Sequence, residues 1–487
     1  MNSKLQAGFA QVEITPKRAS VPLGGYGATE YRLSGSVLDP LYARAIALSD
    51  GEETCLYVCL DLLGIYEDSV ARCRKAINEA TGLREDRIFF GANHTHAGPD
   101  LRSPLPNAVQ YREVEMVEYL VDAAVRALAD RKPAKLSYGS GVAGRPGAWL
   151  NFDRHYYAVE ESKKDNYTKE DLLDGVREVR DGYLRGEGYV AVEHVEEADH
   201  SLLLLLLERE AADNILLVNF AAHSTMNGGT VRPEISADWS AAMIDCVEAY
   251  FPGTKCAFLQ GCCGNLVGGT QIEEEGIWGI TYPGIVLKKS ILEKNIVGLK
   301  PKKRNYRAYG AAVAGYVYKT MLEGLTPSET ETLGFRQRIY TAKYDHSKDE
   351  LAPKAMEAIK PYLEKGHSPE THAYCAKFGL GSIYTCGDII EKSKRPATGE
   401  IELNAIRIGD CAITTLPFEP YSSVGEHVKA ASPFAMTIAN GYACGYQSYL
   451  PNKFRHPDCY EAGRMRYENG TAELLEEQLI EMLKELK

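Results

Sequence analysis

The sequence predicts an α/β fold: a mixed, largely parallel sheet core with helices and two insertions. Three observations carry this expectation. Through the first 270 residues, short apolar runs alternate with amphipathic stretches, the pattern of strands alternating with helices around a sheet. The composition, 45% hydrophobic and 25% charged, is that of a globular chain and excludes disordered, collagen-like and coiled-coil classes. Four of the apolar runs end in polar, chemistry-bearing residues, at the strand ends where loops of α/β sheets bind ligands.

The elements follow in order. Residues 56–60 (LYVCL) read as a buried strand. Residues 66–80 read as a helix closed by Thr81 and Gly82, and residues 87–92 as a strand. Val117, Leu120, Val121, Ala124, Val125 and Leu128 recur at helical spacing and define a helix over 114–128. Residues 215–222 and 256–260 are further apolar strands, and β signals return at 401–408 and 412–416. A helix over 472–486 closes the pattern. Residues 159–197 are highly charged and read as an exposed insertion; residues 269–307 read as a second, with a basic end. No repeat or Pro/Gly/Ser linker divides the chain, so one domain spanning 1–487 is the economical organisation.

Several classes fall away. The 487 residues hold 55 Lys and Arg against 67 Asp and Glu, a net charge of −12. That balance argues against nucleic acid as a partner, because phosphate binding needs a basic face. The most apolar run, residues 202–207, is far short of the ~20 residues of a spanning helix, so no membrane insertion is expected. Residues 1–16 lack the apolar stretch of a secretory signal. Twelve cysteines without a CxxC pair are too sparse for a disulfide scaffold, and reduced thiols in a cytoplasm are expected.

The chemistry gathers at the strand ends. LYVCL runs into Asp61, RIFFGAN into His94 and His96, ILLVNFAA into His223, and CAFLQ into a loop carrying Gly264 and Asn265. Neutral imidazole is the commonest metal ligand. Two histidines one residue apart on a strand-end loop, with a third closing another strand, tip the balance toward a metal. A regular strand would send His94 and His96 to opposite faces, which leaves room for one ligand and one hydrogen-bond donor. HExxH, P-loop and GxSxG patterns are absent. Metal-assisted hydrolysis, with histidine and carboxylate ligands and one open position, is the class the residues favour. The carboxylate candidate is Glu419, held in Pro-Phe-Glu-Pro after an apolar strand. A tyrosine-rich loop with Tyr442, Tyr446 and Tyr449 follows it.

These motifs together resemble the catalytic domain of the neutral (non-lysosomal) ceramidase family. The matching pieces, in order, are AGFAQVEITP (7–16), PLGGYG (22–27), LDPLYARAIAL (38–48) and NHTHAGPD (93–100). They continue with NFAAHST (219–225), ISADWSAA (235–242), FLQGCCGN (258–265), LPFEP (416–420), and NGYACGYQSYLP running to CYEAG (459–463). The resemblance implies one zinc per chain bound by His94, His223, Glu419 and Tyr449, with Tyr446 competing for the last place. It implies a substrate-facing role for His96, and for Tyr460 a part in polarising the scissile carbonyl. Arg154 matches the family's active-site arginine in an altered setting. The resemblance spans the catalytic domain, with no counterpart of the family's C-terminal immunoglobulin-like domain expected, and Val267 stands where the family has a serine with a catalytic role. Valine offers neither nucleophile nor donor, which leaves water as the attacking group.

The expected function is therefore zinc-dependent hydrolysis of an amide or ester in a small polar molecule other than ceramide. Two alternatives stay open. An amidohydrolase-type barrel also places HxH at a strand end and would recruit Asp238. A non-catalytic homologue binding a ligand or glycan would account for Val267.

Overall fold

The apolar runs resolve into two sheets with helices on their outer faces. The structure is a computed structural model that describes residues 3–25, 32–145, 149–153, 157–166, 168, 171, 173–174, 188–192, 198–227, 233–268, 306–365, 369–380, 383–453 and 460–487. In the larger sheet, eight strands lie in the order Thr254–Gln260, Asn214–Phe220, Ser201–Arg209, Lys132–Val142, Gln6–Glu13, Tyr42–Ser49, Thr54–Leu60, Ile88–Ala92. A ninth, Thr326–Pro327, pairs with Lys132–Val142.

The α/β class and the mixed sheet agree with the sequence. The parallel share is smaller than expected. Only the two outer pairs are parallel, Asn214–Phe220 with Thr254–Gln260 and Thr54–Leu60 with Ile88–Ala92. Every pair between them is antiparallel. The reason lies in burial. Continuous apolar runs are the mark of strands covered on both faces, which are usually parallel. Here the antiparallel strand Ser201–Arg209 is covered on both faces too. Leu203, Leu205 and Leu207 enter a core shared with the second sheet, while Leu202, Leu204 and Leu206 pack under the helices Asp238–Tyr250 and Tyr306–Glu323.

The second sheet runs Leu333–Lys343, Thr398–Ile408, Cys411–Thr415, Met436–Asn440. Its first three strands are antiparallel and the last pair is parallel. Phe335, Ile406, Ile413 and Ile438 face the first sheet, and Phe335 stacks on Phe89 at 6.1 Å. Its far face is covered by the helices Ser422–Ala431 and Thr471–Leu486. On the outer face of the first sheet, Glu67–Thr81 and Met116–Ala129 seal another core. Glu67–Thr81 ends where the sequence placed its stop: Gly82 takes φ 73° and returns its N–H to the Asn78 carbonyl.

One long-range feature positions the site. The first and last strands of the large sheet approach each other. Gln260 Nε2 donates to the Asn93 carbonyl at 3.0 Å. The turn after Met436–Asn440 enters between them: Ala92 N–H donates to the Tyr442 carbonyl, and Asn440 Nδ2 donates to the Gln260 carbonyl at 2.7 Å.

Most of the charged stretch 159–197 lies outside the described residues; its described part contributes strands to a small three-stranded sheet. Nearly all of 269–307 lies outside as well. Among the described residues no helix is long and apolar enough to cross a membrane, and no disulfide joins the described cysteines.

Candidate metal centre

The centre is assembled at the carboxyl ends of the two parallel pairs. Asp61, just past Thr54–Leu60, is buried against Arg44 at 3.0 Å and accepts from Asn93 Nδ2 at 2.9 Å. Asn93 in turn leads into His94, whose φ of 61° lies in the left-handed region. A non-glycine residue held there is strained, and such strain gathers at sites. The turn also undoes the alternation of a strand. The rings of His94 and His96 lie on one side, with centroids 4.8 Å apart.

His223 arrives from the other edge, with its ring centroid 4.9 Å from that of His94. All three histidines are buried, and one ligand atom from each lies within 4.8 Å of the others. This group can hold a metal ion. His94 Nδ1 donates to the Leu63 carbonyl at 2.8 Å. His223 Nδ1 donates to the Cys263 carbonyl at 2.7 Å. A carbonyl only accepts, so each Nδ1 carries its proton and each Nε2 is the ring nitrogen turned to the centre.

Glu419 brings the carboxylate. It is buried, and its Oε2 lies 3.2 Å from His94 Nε2 and 3.2 Å from His223 Nε2. Oε2 accepts no hydrogen bond among the described residues. Burial alone would raise its pKa, but the His94 and His223 imidazoles outweigh that and hold the carboxyl well below the usual carboxylate range. His94 Nε2, His223 Nε2 and Glu419 Oε2 thus meet at one buried point. A cation at their meeting point satisfies all three, and backbone acceptors behind the imidazoles are the usual outer support of metal ligands.

The segment around Glu419 is clamped. Gly264 N–H donates to the Pro420 carbonyl at 2.7 Å. A Cβ at Gly264 would sit 2.4 Å from the Glu419 carbonyl oxygen, so only glycine permits this approach. Asn265 Oδ1 accepts from Ser422 N–H at 2.8 Å on the other side.

Of the remaining sequence-predicted residues, some border this core and others do not. Tyr449 is buried and in register with Glu419 in a short parallel pair, which puts both side chains on one face. Tyr446 donates its hydroxyl to Glu419 Oε1. His96 Nε2 is 3.1 Å from His94 Nε2. Burial, then the charges of His94 and His223, hold His96 well below the usual histidine range, so it is neutral. Tyr460 is 57% exposed and packs edge-on against Tyr449 at 5.6 Å. Val267 is buried and bridges to His223. Arg154 lies outside the described residues. Asp238 accepts from Asn227 N–H at 2.6 Å and from Trp239 N–H, serving its own helix start. The antiparallel centre of the sheet excludes the eight parallel strands of an amidohydrolase-type barrel.

Sequence reasoning missed two neighbours, Arg32 and Tyr66, and named Tyr442 only as part of the tyrosine-rich loop. Tyr442 lays its ring on His94 at 4.1 Å. Arg32 donates to the His96 carbonyl at 2.9 Å. Tyr66 packs edge-on against Tyr446 at 5.3 Å. Tyr442 lies in the NGYACGYQSYLP piece, Arg32 and Tyr66 sit in no motif, and the fold brings all three here.

The whole architecture is that of the neutral ceramidases. It superimposes on the neutral ceramidase of Pseudomonas aeruginosa with a TM-score of 0.67, covering 99% of this chain and 74% of that one at 18% identity. A ceramidase complexed with C2 gives a TM-score of 0.66, with 98% of this chain and 74% of that one covered, also at 18% identity. No family model matches the sequence, and no curated protein matches it.

Proposed function

We propose that this chain is a zinc-dependent hydrolase that cleaves an amide or ester bond in a small polar substrate. The observation that carries the reading is the meeting of His94 Nε2 and His223 Nε2 at the buried Glu419 carboxylate, each 3.2 Å from Oε2. The donor set, two imidazoles, a carboxylate and the phenol of Tyr449, suits zinc, and the shared fold with neutral ceramidases agrees with a hydrolase. A divalent ion held by these four would polarise a substrate carbonyl and favour deprotonation of water.

The chain's own residues supply the rest. Leu63 and Cys263 carbonyls keep the ligand lone pairs aimed at the centre. Neutral His96 takes a proton as water adds, and Tyr460 donates a hydrogen bond to the scissile carbonyl. Val267 supplies no hydroxyl, so the route passes through water and forms no serine ester. Elemental analysis of protein purified without added metal tests this reading, beside hydrolysis of an amide and ester panel before and after chelation. About one zinc per chain, with activity lost on chelation, is expected. Full activity in metal-free protein overturns the reading. Stoichiometric zinc without any hydrolysis would favour the ligand-binding homologue to which Val267 points.

A further inference from the structure

We infer that the substrate carries a carboxylate near the bond to be cleaved, and that Arg102 and Tyr66 hold it. This rests on the hydrolase reading above and names its substrate class. Tyr66 is only 8% exposed, yet its hydroxyl has no hydrogen-bond partner among the described residues. Buried hydroxyls are nearly always paired. Burial keeps this phenol protonated, against the pull of Arg102, so it offers a donor.

Arg102 stands beside it. Its guanidinium lies over the Tyr66 ring, 5.4 Å from the centroid, and its side chain is 44% exposed. Its nearest carboxylate, Asp100, is 3.9 Å away, too far for a hydrogen bond. Asp100 accepts the backbone N–H of Arg102 instead, at 3.0 Å. The guanidinium donors therefore have no acceptor among the described residues and are open to an incoming group.

The pair stands one ring out from the metal centre. Tyr66 packs on Tyr446, and Tyr446 stacks on His94 and bonds Glu419. A guanidinium fork with a phenol donor matches the two oxygens of a carboxylate. With Asp100 and Glu391 also acting on Arg102, the local charge balance suits a monoanion over a phosphate dianion.

Calorimetric binding of N-acetylglycine and of N-acetylglycinamide to the full chain decides the matter, with zinc present and after chelation. Wild-type protein is expected to bind the carboxylate ~10-fold or more tightly than the amide in both states, the scale of charge-assisted hydrogen bonds. Arg102→Gln should abolish the preference. Tyr66→Phe should cut it about threefold. Zinc content should be unchanged in both. Arg102→Lys, which keeps the charge, should retain part of the preference and guards against a misfolded Gln variant. A preference that survives Arg102→Gln, or appears only with zinc, overturns the inference, because the metal would then be the carboxylate's partner. Equal binding of the two probes by wild-type protein overturns it as well. If no zinc binds, the hydrolase reading fails, while the chelated comparison still decides whether Arg102 and Tyr66 bind a carboxylate.

Discussion

The outer pairs of the large sheet and its centre are built from the same apolar residues, and they serve different ends. At the outer pairs, Thr54–Leu60 beside Ile88–Ala92 and Asn214–Phe220 beside Thr254–Gln260, neighbouring strands run in parallel. Their four carboxyl ends carry Asp61, His94, His223 and the loop with Gly264 and Asn265. In the antiparallel centre, neighbouring ends point opposite ways. Ser201–Arg209 there spends its leucines on two cores. Parallel pairing gathers loop chemistry on one rim, and antiparallel pairing disperses it.

The largest effect expected to sharpen this comparison comes from the rim histidines. His94→Ala or His223→Ala should reduce bound zinc from about one per chain to background and cut hydrolysis by ~10³-fold or more. Elemental analysis beside a rate assay reads both. Arg44→Met should come next. It strands the buried Asp61 carboxylate, which costs ~3–5 kcal/mol. Because Asp61 holds Asn93, zinc affinity should also fall about 10–100-fold. Urea unfolding and a zinc titration measure the two losses.

Ile46→Val, in the central strand Tyr42–Ser49, should cost ~0.5–1.5 kcal/mol and leave zinc content untouched. Zinc loss in that variant would break the division between rim and centre. The smallest effect is a pH slope behind the second sheet. Burial pushes the Glu476 carboxyl up from 4.5 to about 7, against the pull of His427. The folded state then holds the proton more tightly than the unfolded one, so stability should fall as pH rises from about 4.5 to about 7. Glu476→Gln should flatten that slope by about 1 kcal/mol or less after solvent screening, with zinc content unmoved. Thermal melts across the window test it.

Much of this was legible in the sequence, for definite reasons. A strand that ends in a polar residue shows its end without any tertiary information, so Asp61, His94, His96 and His223 stood out as a group. Glu419 stood out because prolines flank it. The direction of neighbouring strands was hidden, since residues 202–207 look alike whether their buried strand is parallel or antiparallel. The rotation of His94 was hidden too, because a left-handed φ on a histidine leaves no mark in composition. Tyr66, Tyr442 and Arg32 meet the site only through the fold, a relation among residues far apart in the chain. Arg154, by contrast, lies outside the described residues, so its expected place has no structural counterpart here.

The turn that enters between the two edge strands has a further consequence. The rim of a sheet normally bares unpaired N–H and C=O groups, an open template for strands of other chains. Here Tyr442 and Cys444 occupy such groups on Ala92 and Phe90, while Gly441 and Asn440 occupy the Gln260 carbonyl. The turn that lays Tyr442 on His94 is therefore also a guard against self-association. A chain damaged at this turn would lose solubility along with its chemistry, and aggregation would be the first visible sign of a broken site.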